Sequence, residues 1–155
     1  MIKSNKIKAI AFDLSGTLIY YQGFDRERNF PIAFLYPDVI DTLTELKTKG
    51  YILGIISNAS EQIDQQLIRL GISDYFSIKV FSGELGFSKP DPRIYQKFIV
   101  DCSFKPGEIL MVGDSLSKDV QAAKKYGMKG VLLARQGNYS YPDTINSLTN
   151  IYKYL

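Results

Sequence analysis

Ile7-Lys8-Ala9-Ile10-Ala11-Phe12-Asp13-Leu14-Ser15-Gly16-Thr17-Leu18 decides the fold of this chain. An apolar, partly β-branched run ends abruptly in a carboxylate, and Ser-Gly-Thr follows. Such a run reads as a strand covered on both faces, the central strand of a parallel sheet. In open α/β sheets the carboxyl edge is where ligands bind, so Asp13 is the first candidate for chemistry. Gly16 lets the chain turn tightly there and approach a ligand closely. The competing reading is an ordinary solvated turn aspartate ahead of a glycine.

The same pattern recurs downstream. Tyr51 to Ile56 is a second buried strand ending in Ser57-Asn58, and Ile78 to Phe81 is a short third. Glu108 to Val112 is a fourth, ending in Gly113-Asp114-Ser115, and Lys129 to Ala134 is a fifth. Helical segments separate them. Pro37 to Lys49 has Val39, Leu43 and Leu46 on one stripe, with Gly50 as its stop. Ser60 to Leu70 carries Ile63, Leu67 and Leu70. Asp91 caps a helix that begins at Pro92 and runs past Ile94 to Val100. Ser117 to Tyr126 is a further helix, and Tyr141 to Leu155 supplies a last short one. Pro90 keeps Lys89 on extended backbone just ahead of the Pro92 helix. Strands alternating with helices at this spacing specify a parallel sheet with helices on both faces. Right-handed crossovers bring Asp13, Ser57 and Asp114 to one edge.

Composition narrows the chemistry. The 155 residues suit one domain, taken as 1–155, with 18–36 as a short flap or hairpin. The net charge of +3 comes without a block of Lys or Arg, which argues against nucleic acid and anionic membrane as partners. Cys102 is the only cysteine, so no internal disulfide forms, and a reducing, cytoplasmic location with an inert thiol is expected. Met1 to Lys6 has no secretory-signal character, and no apolar run is long enough to span a bilayer. The chain has no histidine, which excludes Ser-His-Asp and Cys-His catalysis and imidazole-built zinc sites.

Two carboxylates meeting on one edge repel unless a cation sits between them. Mg²⁺ takes oxygen ligands, and Asp13, Asp114 and a backbone carbonyl near Ser15 supply three. Ser57 and Asn58 offer hydrogen-bond donors and Lys89 a fixed positive charge. That set fits a phosphoryl group, whose transfer is catalysed mostly by positioning and charge stabilisation. Taken singly, each residue has a blander role: Ser57 as a cap, Lys89 as a surface charge, Asp119 as a helix-dipole residue.

Together they resemble the haloacid dehalogenase superfamily of aspartate-nucleophile phosphatases. Phe12-Asp13-Leu14-Ser15-Gly16-Thr17-Leu18 is similar to its first motif and Ile55-Ile56-Ser57-Asn58 to its second. Ser88-Lys89-Pro90-Asp91-Pro92 is similar to the third, and Val112-Gly113-Asp114-Ser115-Leu116-Ser117-Lys118-Asp119 to the fourth. The resemblance implies a Rossmann-like three-layer α/β sandwich with a central parallel sheet and, here, no large cap. It implies a Mg²⁺-dependent phosphatase working through an aspartyl-phosphate on a phosphorylated substrate. Asp13 matches the nucleophile and a metal ligand, Ser15 the position whose carbonyl binds the metal, Asp114 a carboxylate ligand, and Asp119 the second acidic residue. Ser57 and Lys89 match the phosphate-binding hydroxyl and ammonium, with Asn58 beside them.

One position departs from the pattern. Most phosphatases of the family carry a second aspartate where Ser15 stands, and that aspartate serves as general acid and base, an effect worth about 10²–10⁴ in rate. Three readings follow: an enzyme for substrates with good leaving groups, a phosphotransferase whose aspartyl-phosphate persists, or a degenerate binder of phosphorylated ligands. The dehalogenase branch fits poorly, because it carries a bulky helical cap and an aromatic residue at the Ser15 position. A response-regulator receiver fits less well still, since it places its phospho-accepting aspartate after the third strand, where Phe81-Ser82-Gly83 stands. Without a cap the site is open, which suits a large substrate or closure by another subunit of a homo-oligomer. Tyr20, Tyr21, Phe24, Arg26 and Arg28 on the flap are the expected substrate contacts, unless they only pack it.

Overall fold

The computed structural model describes residues 6–137 and 139–155. Met1 to Asn5, read above as lacking secretory-signal character, lie outside those residues. Six parallel strands form one sheet in the order β5-β4-β1-β6-β7-β8. They are β1 (Ala9–Phe12), β4 (Ile52–Ser57), β5 (Ile78–Phe81), β6 (Ile109–Gly113), β7 (Lys129–Leu133) and β8 (Thr144–Ile145). β1 lies at the centre, with Phe12 level with Ile55 of β4 and Val112 of β6. The expected α/β sandwich is thus the observed fold.

Alternation along β1 builds the layers. Ile10 and Phe12 join a core with Leu43, Leu46, Ile63, Leu67 and the C-terminal Leu148 and Ile151. Ala9 and Ala11 face the opposite core, formed with Ile94, Tyr95, Phe98, Ala122 and Ala123. Helices α1 (Val39–Thr48) and α2 (Gln62–Arg69) therefore cover one face, while α4 (Pro92–Cys102) and α5 (Ala122–Lys125) cover the other. Gly54 on β4 is what lets α4 in so close, since a Cβ there would meet the Phe98 ring at 2.4 Å. Asp91 caps α4 as expected, its carboxylate accepting from the Arg93 N–H at 2.9 Å.

Three details differ from the sequence reading. The tail contributes a strand as well as a 3₁₀ turn (Leu148–Tyr154), because Thr144 and Ile145 pair with Leu132 and Leu133. A two-residue strand is too short to show a period of two. A four-residue helix, α3 (Ser82–Leu85), follows β5. The helix expected from Ser117 opens as a π-helical turn (Leu116–Gln121) before it becomes α5. That wide turn carries Asp119.

The flap is an antiparallel hairpin of β2 (Ile19–Asp25) and β3 (Phe30–Leu35), with a bulge between Tyr21 and Phe24. Gln66 of α2 pins it down: its side-chain oxygen accepts from the Ala33 N–H at 3.2 Å and its NH₂ donates to the Pro31 carbonyl at 2.8 Å. No large cap stands between β1 and α1. Among the described residues no helix is long and apolar enough to cross a membrane.

Candidate active site

β1 ends at Phe12, and Asp13 keeps one more ladder bond, its N–H donating to the Val112 carbonyl at 2.9 Å. The nucleophile candidate is therefore held by the sheet itself. Its carboxylate accepts from Lys89 Nζ at 2.9 Å, and the same ammonium donates to Asp119 at 2.5 Å. Lys89 is 4% exposed and Asp119 1%. The carboxylate oxygens of Asp13, Asp114 and Asp119 lie within 4.8 Å of one another. Sequence positions far apart thus converge as expected, and Lys89 bridges two of the acids.

The electrostatics follow from burial. Desolvation pushes the Asp13 carboxyl up from 3.8 to about 6; Lys89 opposes this, and Asp114 adds to it by like-charge repulsion. Asp119 is raised by burial and by Asp13, against Lys89 and the Ser115 N–H. Burial would lower Lys89, but Asp13 and Asp119 outweigh it and hold the ammonium charged. Asp13 and Asp119 share one buried ammonium and Asp114 crowds them from the exposed rim, so the cluster is short of positive charge.

Two glycines make room for these acids. A Cβ on Gly16 would sit 2.2 Å from an Asp114 carboxylate oxygen, and a Cβ on Gly113 would sit 2.2 Å from one of Asp119. Gly113 also brings the Ser115 N–H within 3.0 Å of Asp119. Gly113→Ala should therefore displace Asp119 from Lys89. The expected result is a loss of about 2 kcal/mol or more in a urea titration, the scale of overpacking plus a broken buried pair. An unchanged midpoint would show that Asp119 moves aside at no cost.

Asn58 lines the cleft and also braces the lysine. Its NH₂ donates one hydrogen to the Lys89 carbonyl at 3.1 Å, and its oxygen accepts from the Lys89 N–H at 2.7 Å. Ser57 is buried and borders the same cleft of about 300 Å³, which also takes in Asp13, Ser15, Lys89 and Asp114. Ser15 and Asp114 are exposed at its mouth. A larger recess of about 710 Å³ lies at the opposite, amino edge of the sheet, away from every group named above.

None of the five flap residues lines the cleft. Tyr20 is stacked on Phe34 with ring centroids 5.7 Å apart and rests on Tyr36 at 5.1 Å, so it packs the hairpin. Arg28 is paired with Asp25 at 2.9 Å, while Phe24 and Arg26 are exposed. Tyr21 is exposed and packs edge-on against Phe30 with ring centroids 6.4 Å apart; partial burial and the charge of Asp13 push its phenol up. The sequence reading also missed Lys118, which lines the cleft, and Tyr95, whose hydroxyl donates to the Lys118 carbonyl. Tyr95 sits on the apolar stripe of α4, where a tyrosine reads as plain core.

One edge of the sheet thus gathers an Asp after the central strand, a second after the neighbouring strand β6, and a lysine bridging to a third acid. A family model described as "Haloacid dehalogenase-like hydrolase" matches residues 19–133, and the chain belongs to that family. It is 35% identical over 132 residues to a "Glyceraldehyde 3-phosphate phosphatase" of Methanothermobacter thermautotrophicus, covering 83% of this chain and 58% of that one. It is 33% identical over 127 residues to "(S)-2-haloacid dehalogenase 4A" of Burkholderia cepacia, covering 77% and 54%. Among solved structures, an HAD phosphatase from Thermococcus onnurineus superposes with a TM-score of 0.84 at 26% identity, covering 96% of this chain and 97% of that one. The chain spans about half the length of the curated relatives it matches.

Proposed function

We propose that this protein is a Mg²⁺-dependent phosphatase that forms an aspartyl-phosphate on Asp13. The observation that carries this reading is the crowding of three carboxylates within 4.8 Å around one buried ammonium, which touches Asp13 and Asp119. Hard oxygen donors with a deficit of positive charge suit a small divalent cation. Asp13, Asp114 and the Ser15 carbonyl would hold Mg²⁺, with Asp119 behind them; the bound ion would supply positive charge to the phosphoryl oxygens. The relatives include both a phosphatase and a dehalogenase, and the site favours the first. Ser57 and Lys89 supply a hydroxyl and an ammonium for a tetrahedral anion, and the hairpin stands where a cap would enclose a small organic acid.

In the proposed reaction an Asp13 carboxylate oxygen attacks phosphorus, and the bond to the leaving oxygen breaks with its electron pair. Water then attacks phosphorus, the new acyl phosphate bond breaks, and inorganic phosphate leaves with the carboxylate restored. Lys89 keeps Asp13 close to a positive charge throughout. Ser15 neither protonates the leaving oxygen nor takes a proton from water as a carboxylate would, so acyl phosphates and aryl esters are favoured over alkyl esters. The open cleft fits a large phosphorylated substrate or closure by a second copy, and the buried Cys102 thiol suits a reducing cytoplasm.

The test is hydrolysis of acetyl phosphate and p-nitrophenyl phosphate with Mg²⁺ and with EDTA. Turnover should require the metal and be faster on acetyl phosphate. Ser15→Asp should then raise turnover of alkyl esters by about 10²-fold, the lower end of a general acid/base effect. Mg²⁺ binding with no turnover of either compound would favour the phospho-ligand binder instead.

A further inference from the structure

The loop that follows Asp13 is held from across the molecule. Its own turn is short: the Leu14 carbonyl accepts from the N–H groups of Thr17, Leu18 and Ile19, and the Gly16 N–H donates to the Ile19 carbonyl at 2.9 Å. The Thr17 carbonyl points out of this turn and is taken by Arg135, just beyond β7. Arg135 Nε and Nη2 donate to it at 3.1 and 2.6 Å. The rest of the guanidinium grips Asp38, with Nη1 and Nη2 donating to its two oxygens at 3.1 and 2.9 Å. The guanidinium carbon lies 3.8 Å from the Tyr36 ring centroid, in cation–π contact. Asp38 in turn accepts from the Ser147 hydroxyl and the Leu148 N–H, both at 2.9 Å. The Arg135 and Asp38 side chains are 12% and 14% exposed. Burial alone would raise the Asp38 carboxyl, but Arg135, the Leu148 N–H and the Ser147 hydroxyl together hold it below its ordinary value.

Only arginine fits this place. A lysine ammonium is a point donor and lacks the rigid planar fork that bonds a carbonyl and a carboxylate at once while stacking on an aromatic ring. The anchored residue is next to Gly16, whose Cα abuts the Asp114 carboxylate, and two residues from Ser15. We infer that Arg135 is a positioning residue: it fixes the Asp13–Thr17 loop against Asp114, and through Asp38 it makes the C-terminal 3₁₀ turn part of the active-site scaffold. The metal arm of this inference rests on the phosphatase reading; the backbone arm does not.

The experiment compares wild type with Arg135→Gln, Arg135→Lys and Asp38→Asn. Hydrogen exchange is followed in metal-free protein on peptides covering Leu14 to Ile19, with β4 as an internal reference. Mg²⁺ is then titrated calorimetrically. In Arg135→Gln the loop peptide should exchange about ten-fold faster while β4 is unchanged, the sign of a local rather than global opening. Mg²⁺ affinity should fall about 10–100-fold, the usual effect of losing a group that orients metal ligands. On p-nitrophenyl phosphate kcat should fall with little change in KM. Arg135→Lys should restore melting temperature more than loop protection, and Asp38→Asn should lie between. Equal loop exchange in wild type and Arg135→Gln, equal acceleration in β4, or full recovery by lysine would each overturn the inference. If wild type binds no Mg²⁺, the phosphatase reading falls and the exchange result alone decides the role of Arg135.

Discussion

Asp13→Asn should reduce Mg²⁺-dependent turnover of acetyl phosphate by roughly 10³-fold or more, the scale seen when a covalent nucleophile is removed. The substitution keeps the shape of the side chain and removes its nucleophilic charge. It also relieves a cost. Asp13 is 8% exposed, and burial and Asp114 both work against its ionised form. The amide should therefore leave the fold intact, and Lys89 retains Asp119 as a partner at 2.5 Å. A thermal melt within a few degrees of wild type, alongside lost activity, separates a chemical role from a structural one. Equal rates in the two proteins would remove Asp13 from the mechanism and return it to a turn residue.

How much of this site was legible in the sequence can be judged residue by residue. Asp13, Ser57 and Asp114 each follow a run of buried apolar residues, so period and polarity alone put them on one edge of a parallel sheet. Lys89 could be placed ahead of a helix by Asp91 and Pro92, since capping chemistry is local. Its depth could not be placed, because burial of a lysine depends on two carboxylates distant in sequence. The Asn58 clamp was hidden for the same reason: an asparagine beside a strand end reads as a donor to ligand, and its hold on the Lys89 backbone shows only in the fold. Gly16 announced a turn and Gly113 only a strand's end, yet both also serve sterically, each leaving space for a particular carboxylate oxygen. The flap residues were placed on a hairpin, but whether an aromatic ring faces a ligand or a neighbouring ring is a tertiary fact. Arg135 gave no signal at all. Its partners, Thr17, Tyr36 and Asp38, lie about a hundred residues upstream in the chain, and nothing in the residues around it marks a buried fork.

Lys89→Met should be the most damaging single change to stability. The side chain of Lys89 is 3% exposed and that of Asp119 1%, so the carboxylates it serves have little access to water. Removing one partner of such a cluster leaves uncompensated buried charge and costs about 3–5 kcal/mol. Methionine keeps most of the volume, so the loss reports charge rather than a cavity. The pH dependence gives a second, independent signature. Asp13 already has a folded-state carboxyl raised from 3.8 to about 6, and Asp119 is raised too. A group raised on folding stabilises the folded protein at low pH and loses that contribution as pH climbs through the folded value. Without Lys89 the opposing influence is gone, so both carboxyls rise further. Metal-free Lys89→Met should therefore lose stability more steeply than wild type as pH increases from 3.8 through about 6, and Mg²⁺ should recover part of it. Urea midpoints taken across that range, with EDTA and with Mg²⁺, measure all three effects. A variant as stable as wild type, with a flat pH profile, would mean that Asp13 and Asp119 are not ionised together in the folded protein, and the case for a divalent cation beside them would go with it.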